Sequence, residues 1–155
     1  MISLVFPGQG SQYIGMGKDF YNNFPIAKEV YNEVDDILGF SLSKLIFNGQ
    51  IEDLTLTKNA QPAIMATSIA ILRTLEKEGF NIKKSKFVAG HSLGEYTALC
   101  ASEAISLADT AHILKMRGIF MQEAVSVGVG AMAAILGLNL DKVETLVSEI
   151  KSNEI

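Results

Sequence analysis

Lys86-Phe87-Val88-Ala89-Gly90-His91-Ser92-Leu93-Gly94-Glu95-Tyr96-Thr97-Ala98-Leu99 is the stretch that decides the fold. Phe87 to Ala89 is a short apolar run of the kind that forms a buried strand, and from Leu93 onward small and apolar residues return at helical spacing. A strand reversing into a helix over so few residues presses backbone against backbone. Gly90 and Gly94, two positions either side of Ser92, fall where a Cβ would clash. The pattern therefore predicts the Ser92 hydroxyl exposed at the apex of a sharp turn. The Leu93 N–H and the positive end of the following helix would face any negative charge developing beside it. A serine so placed suits nucleophilic attack on an acyl carbon. A plain strand-to-helix turn would carry the same three residues, but the flanking strand and helix favour the nucleophile.

Working outward, the 155 residues suffice for one full core, with room for an incomplete second unit. A formal net charge of −4 argues against general nucleic-acid binding, which needs a dense basic face. The one basic cluster, Lys83, Lys84 and Lys86, reads as a solubilising surface. No apolar run approaches the ~20 residues needed to cross a bilayer. The opening Met1-Ile2-Ser3-Leu4-Val5-Phe6-Pro7 lacks the layout of a secretory leader, so a cytoplasmic location is expected. The single cysteine, Cys100, lies among Ala98, Leu99 and Ala101 and reads as a small core residue.

Toward the amino terminus, Ile2 to Phe6 is an apolar strand stopped by Pro7, and Gly8-Gln9-Gly10-Ser11-Gln12 is a glycine-rich turn. Its glycines admit a ligand close to the backbone, and the Gln9 amide would donate a hydrogen bond into a site; as a lone residue, Gln9 fits an ordinary turn equally well. A phosphate loop would need a lysine after the glycines, and none is present. Pro25 opens a helix that runs through Leu38, with Ile26, Val30, Val34 and Ile37 on one face and Gly39 as its stop. Ser41 starts a short helix closed by Asn48-Gly49. Asn59 would cap a long helix that is apolar on nearly every side from Ala60 to Leu72, hence buried, with Gln61 at its mouth before Pro62.

Beyond the decisive stretch, Ser106 reads as the N-cap of a helix from Leu107 to Val125 whose stripe is Leu107, Ala111, Leu114, Met121 and Val125. Arg117 falls in that stripe. Its helical neighbours Ile113, Leu114, Phe120 and Met121 cannot neutralise it, so either a carboxylate of the fold or one of a ligand must meet the guanidinium. His112 lies on the opposite face with Asp109 and Lys115 and reads as solvated. Gly128-Val129-Gly130 looks like a hinge into a second unit: a strand over Ala131 to Leu136, then a helix over Asp141 to Lys151 with Val143, Leu146, Val147 and Ile150 inward.

Phe6-Pro7-Gly8-Gln9-Gly10-Ser11-Gln12, Ala60-Gln61-Pro62-Ala63, Gly90-His91-Ser92-Leu93-Gly94-Glu95-Tyr96 and Met116-Arg117-Gly118, in this order, strongly resemble the malonyl-CoA:acyl carrier protein transacylases of fatty-acid synthesis. The acyltransferase domains of polyketide and animal fatty-acid synthases are similar. The resemblance implies an α/β fold: an α/β-hydrolase-like large subdomain with a nucleophile elbow over residues 1–127, and the first strand and helix of an inserted ferredoxin-like subdomain over residues 128–155. By resemblance Ser92 is the nucleophile, Gln9 and the Leu93 N–H form the oxyanion hole, Arg117 holds the free carboxylate of the malonyl group, and Gln61 and His91 belong to the substrate site. The implied reaction moves malonyl from malonyl-CoA to Ser92 and on to the phosphopantetheine thiol of acyl carrier protein, with no metal or redox cofactor.

Members of that family carry their general base, a histidine, in a second half without counterpart here. His91, adjacent to the serine on a tight turn, and His112, on the far face, do not replace it. Loss of such a histidine costs on the order of a millionfold in kcat. The expectation is a nearly inactive chain by itself, open to complementation by a separate carboxy-terminal half, with an open strand at Ala131 to Leu136 that favours aggregation or association with another piece. Two other readings compete. An α/β-hydrolase esterase or thioesterase would need a histidine after the serine, and a patatin-like Ser/Asp hydrolase would draw on Asp109 or Asp141. A non-catalytic fragment that binds acyl carrier protein or CoA is the alternative from another class.

Overall fold

The computed structural model describes residues 2–125, 128–129 and 135–149. The elements are β1 (Ile2–Phe6), α1 (Lys18–Asn23), α2 (Pro25–Leu38), α3 (Leu42–Asn48), α4 (Ile51–Thr55), α5 (Thr57–Lys77), β2 (Ser85–Gly90), α6 (Leu93–Ala101), α7 (Leu107–Ala124) and α8 (Leu140–Glu149). The chain divides into two compact units, Met1–Ala124 and Val125–Ile155.

In the first unit α5 is the central beam. Ala60, Ala63, Met65, Ala66 and Ala70 are fully buried because α2, α6 and α7, together with the short α1, α3 and α4, surround it. A helix enclosed on all sides needs apolar residues all round, which is the pattern its sequence carries. α2 begins at Pro25, where a missing N–H is no loss, and ends at Gly39 with φ 69°. Its buried face is Ala27, Val30, Tyr31 and Val34, with Ile26 and Ile37 at the margins. Asp35 caps α3, accepting from the Ser43 N–H at 2.8 Å and the Ser43 hydroxyl at 2.5 Å. Ser106 caps α7: its Oγ accepts from the Asp109 N–H at 3.0 Å and donates to the Asp109 carboxylate at 2.6 Å.

Two expectations are corrected here. Asn59 does not cap α5, which begins two residues earlier at Thr57; the Asn59 amide donates instead to the Asp53 carbonyl at 2.9 Å and ties α4 to the start of α5. Pro62 consequently lies inside the helix, where it forgoes one backbone bond. β2 is not a buried strand. It pairs in parallel with β1, Ser3 opposite Phe87 and Phe6 opposite Gly90, and helices cover one face only. Leu4, Phe6 and Val88 pack on the core, whereas Val5 and Phe87 are 76% and 61% exposed. A parallel strand is buried on both sides only when helices lie on both faces, which the described elements do not provide.

In the second unit α8 starts at Leu140. Leu146 and Val147, expected inward, are exposed, since among the described residues of that unit the helix has no other element to bury them against. Of the strand expected over Ala131 to Leu136, residues 131–134 lie outside the described residues, as do Ile150 and Lys151. Among the described residues no helix is long and apolar enough to cross a membrane.

Candidate active site

Parallel pairing sends the segments after β1 and after β2 out of the same edge of the sheet. The His91 N–H extends the pairing, donating to the Phe6 carbonyl at 3.1 Å. Beyond it the turn is so tight that glycine is required three times. A Cβ at Gly90 would fall on the Gly94 carbonyl, and one at Gly94 would come within 2.8 Å of the Pro7 oxygen. One at Gly8 would strike the His91 ring and approach the His91 oxygen to 2.9 Å. Ser92 sits between them at φ 55°, ψ −110°, a conformation L-residues avoid, with its side chain exposed and α6 starting at the next residue.

Arg117 reaches this serine from α7. Next to it Gly118 lets α7 cross α5 at near contact: a Cβ there would stand 2.6 Å from the Lys58 Cα and from the Thr57 oxygen. The crossing places the Arg117 guanidinium between the mouth of α5 and the turn. Nη1 donates to the Gln61 Oε1 at 2.6 Å and Nη2 to the Ser92 Oγ at 3.0 Å. The guanidinium carbon also lies 5.6 Å from the centroid of the Tyr96 ring, over its face. These partners are all neutral, so the carboxylate of the fold that the sequence allowed for does not appear among them. Gln61 itself is fully buried, its amide N–H pointing to the Met121 sulfur at 3.3 Å. The site thus pairs an exposed serine hydroxyl with an arginine whose charge no acid among the described residues offsets.

The exposed Gln9 side-chain amide donates to the Thr57 hydroxyl at 3.4 Å, holding the glycine-rich loop to the start of α5, and keeps a second N–H. The loop is further braced by the Gly10 N–H donating to Gln12 Oε1 at 2.8 Å and the Ser11 hydroxyl to the Gly8 oxygen at 2.8 Å. At the start of α6 the Gly94 and Glu95 N–H groups bond to the His91 and Ser92 oxygens. The Leu93 N–H, one of the helix's orphan donors, meets no acceptor among the described residues. His91 packs its ring against Gly8. His112 is exposed on α7, as expected, but Lys115 is half-buried. Its ammonium donates to Asn59 Oδ1 at 3.2 Å above the Phe40 ring, and burial, with Lys58 second, lowers its pKa. Cys100 is buried, and burial pushes its thiol pKa up. Thr57 was not named from the sequence, and Tyr96 and Met121 were given no part in the site there: Tyr96 stood only within the motif run and Met121 only in the apolar stripe beside Arg117.

The acyl transferase domain model matches residues 3–150. This chain belongs to the acyl transferase domain family. Its curated relatives include the malonyl CoA-acyl carrier protein transacylase of Bacillus subtilis strain 168, 49% identical over 149 residues, which cover 96% of this chain and 46% of that protein. The enzyme of the same name from Escherichia coli K12 is 45% identical over 137 residues, covering 88% and 44%. Among solved structures, the acyl-carrier-protein S-malonyltransferase of Bartonella henselae superposes with a TM-score of 0.88 at 55% identity, over 96% of this chain and 48% of that one. A malonyl-transacylase in complex with a type II polyketide acyl carrier protein gives 0.88 at 38% identity, over 99% and 49%. The chain thus spans about half the length of the family members it matches.

Proposed function

We propose that this chain carries the acyl-accepting half of a transacylase that moves malonyl from malonyl-CoA to the phosphopantetheine thiol of acyl carrier protein. The observation that carries the reading is the Arg117 guanidinium, without an acidic partner among the described residues and 3.0 Å from the Ser92 hydroxyl. A malonyl group has a carboxylate one methylene away from its reacting carbonyl, so an arginine beside the nucleophile holds the one while the serine attacks the other. An acetyl group would offer the guanidinium no carboxylate, which disfavours it relative to malonyl.

In the first half-reaction the Ser92 Oγ bonds to the thioester carbon, the oxyanion collapses, the C–S bond breaks, and the serine proton ends on the departing CoA thiol. The second half-reaction repeats this in reverse with the carrier thiol. The oxyanion is stabilised by the free Leu93 N–H at the positive end of α6. Because the Gln9 side chain is bonded to Thr57, its share of the oxyanion hole is assigned to its backbone N–H. Gln61 orients Arg117, and His91 holds the glycine loop against the turn, which together form an elbow of the nucleophile type. The proton is carried by a base outside these 155 residues, in a carboxy-terminal half of the family's chain. Residues 1–127 are accordingly assigned to the large subdomain and 128–155 to the start of a ferredoxin-like one.

Intact-protein mass after incubation with malonyl-CoA tests the reading, with Ser92→Ala as control. A malonyl adduct on the parent chain and none on the variant is expected, formed slowly by the chain alone and fast when a matching carboxy-terminal half is added. An adduct that persists in Ser92→Ala, or none even with the second half present, would overturn it.

A further inference from the structure

Helix α6 carries Ser92 at its amino-terminal cap and Tyr96 in its first turn, four residues on. Arg117, coming across from α7, touches both: Nη2 bonds to the Ser92 Oγ and the guanidinium carbon stands over the Tyr96 ring. An arginine side chain is long and freely jointed, and hydrogen bonds to the Gln61 and Ser92 oxygens fix two of its nitrogens while leaving the guanidinium plane free to tilt about the line between them. An aromatic face removes that freedom. It attracts the cation through the ring quadrupole, and it does so without accepting any of the in-plane N–H groups. A carboxylate in the same place would pin the arginine equally well, but it would take the N–H donors that an anionic ligand needs and cancel the charge that draws it. The tyrosine is thus the kind of support that leaves the guanidinium both fixed and unsatisfied.

We propose that Tyr96 is a positioning residue for Arg117, holding the guanidinium beside the Ser92 hydroxyl with its remaining N–H donors open, and that it thereby sets the preference of the site for acyl groups bearing a free carboxylate. The preference rests on the reading of Arg117 given above, whereas the positioning does not. The hydroxyl of Tyr96 has no part in it; the ring does the work.

Two measurements on the full chain test this separately. The sequence holds only two arginines, Arg73 and Arg117, so the side-chain Nε–Hε signal of Arg117 is assignable by comparison with Arg117→Ala in a nitrogen-15 NMR spectrum. In the parent chain it is displaced by the tyrosine ring current. Tyr96→Leu moves it to an unshifted position and Tyr96→Phe leaves it in place. An Arg117 signal unchanged by Tyr96→Leu would overturn the positioning claim.

The second measurement is calorimetric binding of malonyl-CoA and acetyl-CoA to Ser92→Ala chains, in which no transfer consumes the ligand. Adding Tyr96→Leu weakens malonyl-CoA roughly five- to tenfold and leaves acetyl-CoA unchanged, while Tyr96→Phe restores the parent affinity. Equal weakening of both thioesters, or of neither, would overturn the selectivity claim. If Arg117→Ala binds malonyl-CoA as tightly as the parent, the reading of Arg117 fails and selectivity with it. The NMR comparison still decides whether Tyr96 positions the guanidinium.

Discussion

Ser92 holds a backbone conformation that costs a non-glycine residue roughly 1–3 kcal/mol, and it holds it between glycines that leave the turn no slack. Replacing it with glycine removes that cost and also the hydrogen bond from Arg117. We expect Ser92→Gly to raise the unfolding free energy by about 1 kcal/mol in denaturant titration while abolishing acyl uptake. A loss of stability would show that the serine is at ease in its turn. Gly90→Ala works in the opposite sense, because its Cβ would land on the Gly94 carbonyl, which is backbone and cannot give way. A loss of about 2–4 kcal/mol is expected by the same titration. Both glycines and the serine were legible in the sequence because the requirement they meet is local, a reversal within five residues. Arg117 was legible as a charge in an apolar stripe. Its actual partners, Gln61 and Tyr96, come from other helices, and no spacing within α7 names them. The bond from the Gln9 side chain to Thr57 was hidden for the same reason, since Thr57 is distant in sequence.

At the scale of elements, the position of Arg117 is fixed by how closely α7 crosses α5, and that closeness depends on Gly118. A methyl group there would meet main-chain atoms of Thr57 and Lys58, so the helices must part. We expect Gly118→Ala to cost about 1–3 kcal/mol by thermal or chemical unfolding and to draw the guanidinium off Ser92 and Gln61, lowering malonyl uptake well beyond what the loss of fold explains. An undiminished rate of uptake would show that the crossing does not position the arginine. The ends of α2 were readable from Pro25 and Gly39, which act on their own backbone, and the burial of α5 from its composition. The start of α5 was misjudged because Asn59 offers a good cap by type, yet the helix gains more by running back to Thr57 and letting that amide hold α4. α1 and α4 are too short to impose a period on the sequence. Burial of β2 was overestimated because an apolar run reports what a strand prefers, and covering its second face is a property of neighbours.

For the molecule as a whole, Tyr31 ties distant parts together: its hydroxyl donates to Thr67 of α5 at 3.0 Å and approaches the Met16 oxygen, while its ring packs against Tyr21 and Phe47. Burial pushes its pKa up from 10.0 to about 12. A raised folded-state value means the native chain keeps its proton after the unfolded chain has lost it, so this contribution is intact below pH ~10 and falls away as the pH climbs to ~12. The unfolding free energy should drop by about 2–3 kcal/mol across that window from this group alone. Tyr31→Phe should flatten that part of the profile and cost only about 1 kcal/mol near neutrality, since Thr67 keeps its bond to the Ala63 oxygen. A profile unchanged by the substitution would rule the tyrosine out as its source. The pairing of β1 with β2 has a consequence of another kind. Phe6 and Gly90 are partners in the register, yet everything from α1 to α5 is synthesised between them. On a ribosome adding ~5–20 residues per second, β1 therefore spends several seconds with its hydrogen-bonding edge unclaimed, and the turn at Ser92 cannot exist until that wait is over. β1 emerges long before the partner that fills its edge, so this is the interval in which the nascent chain most needs protection from pairing with a neighbour.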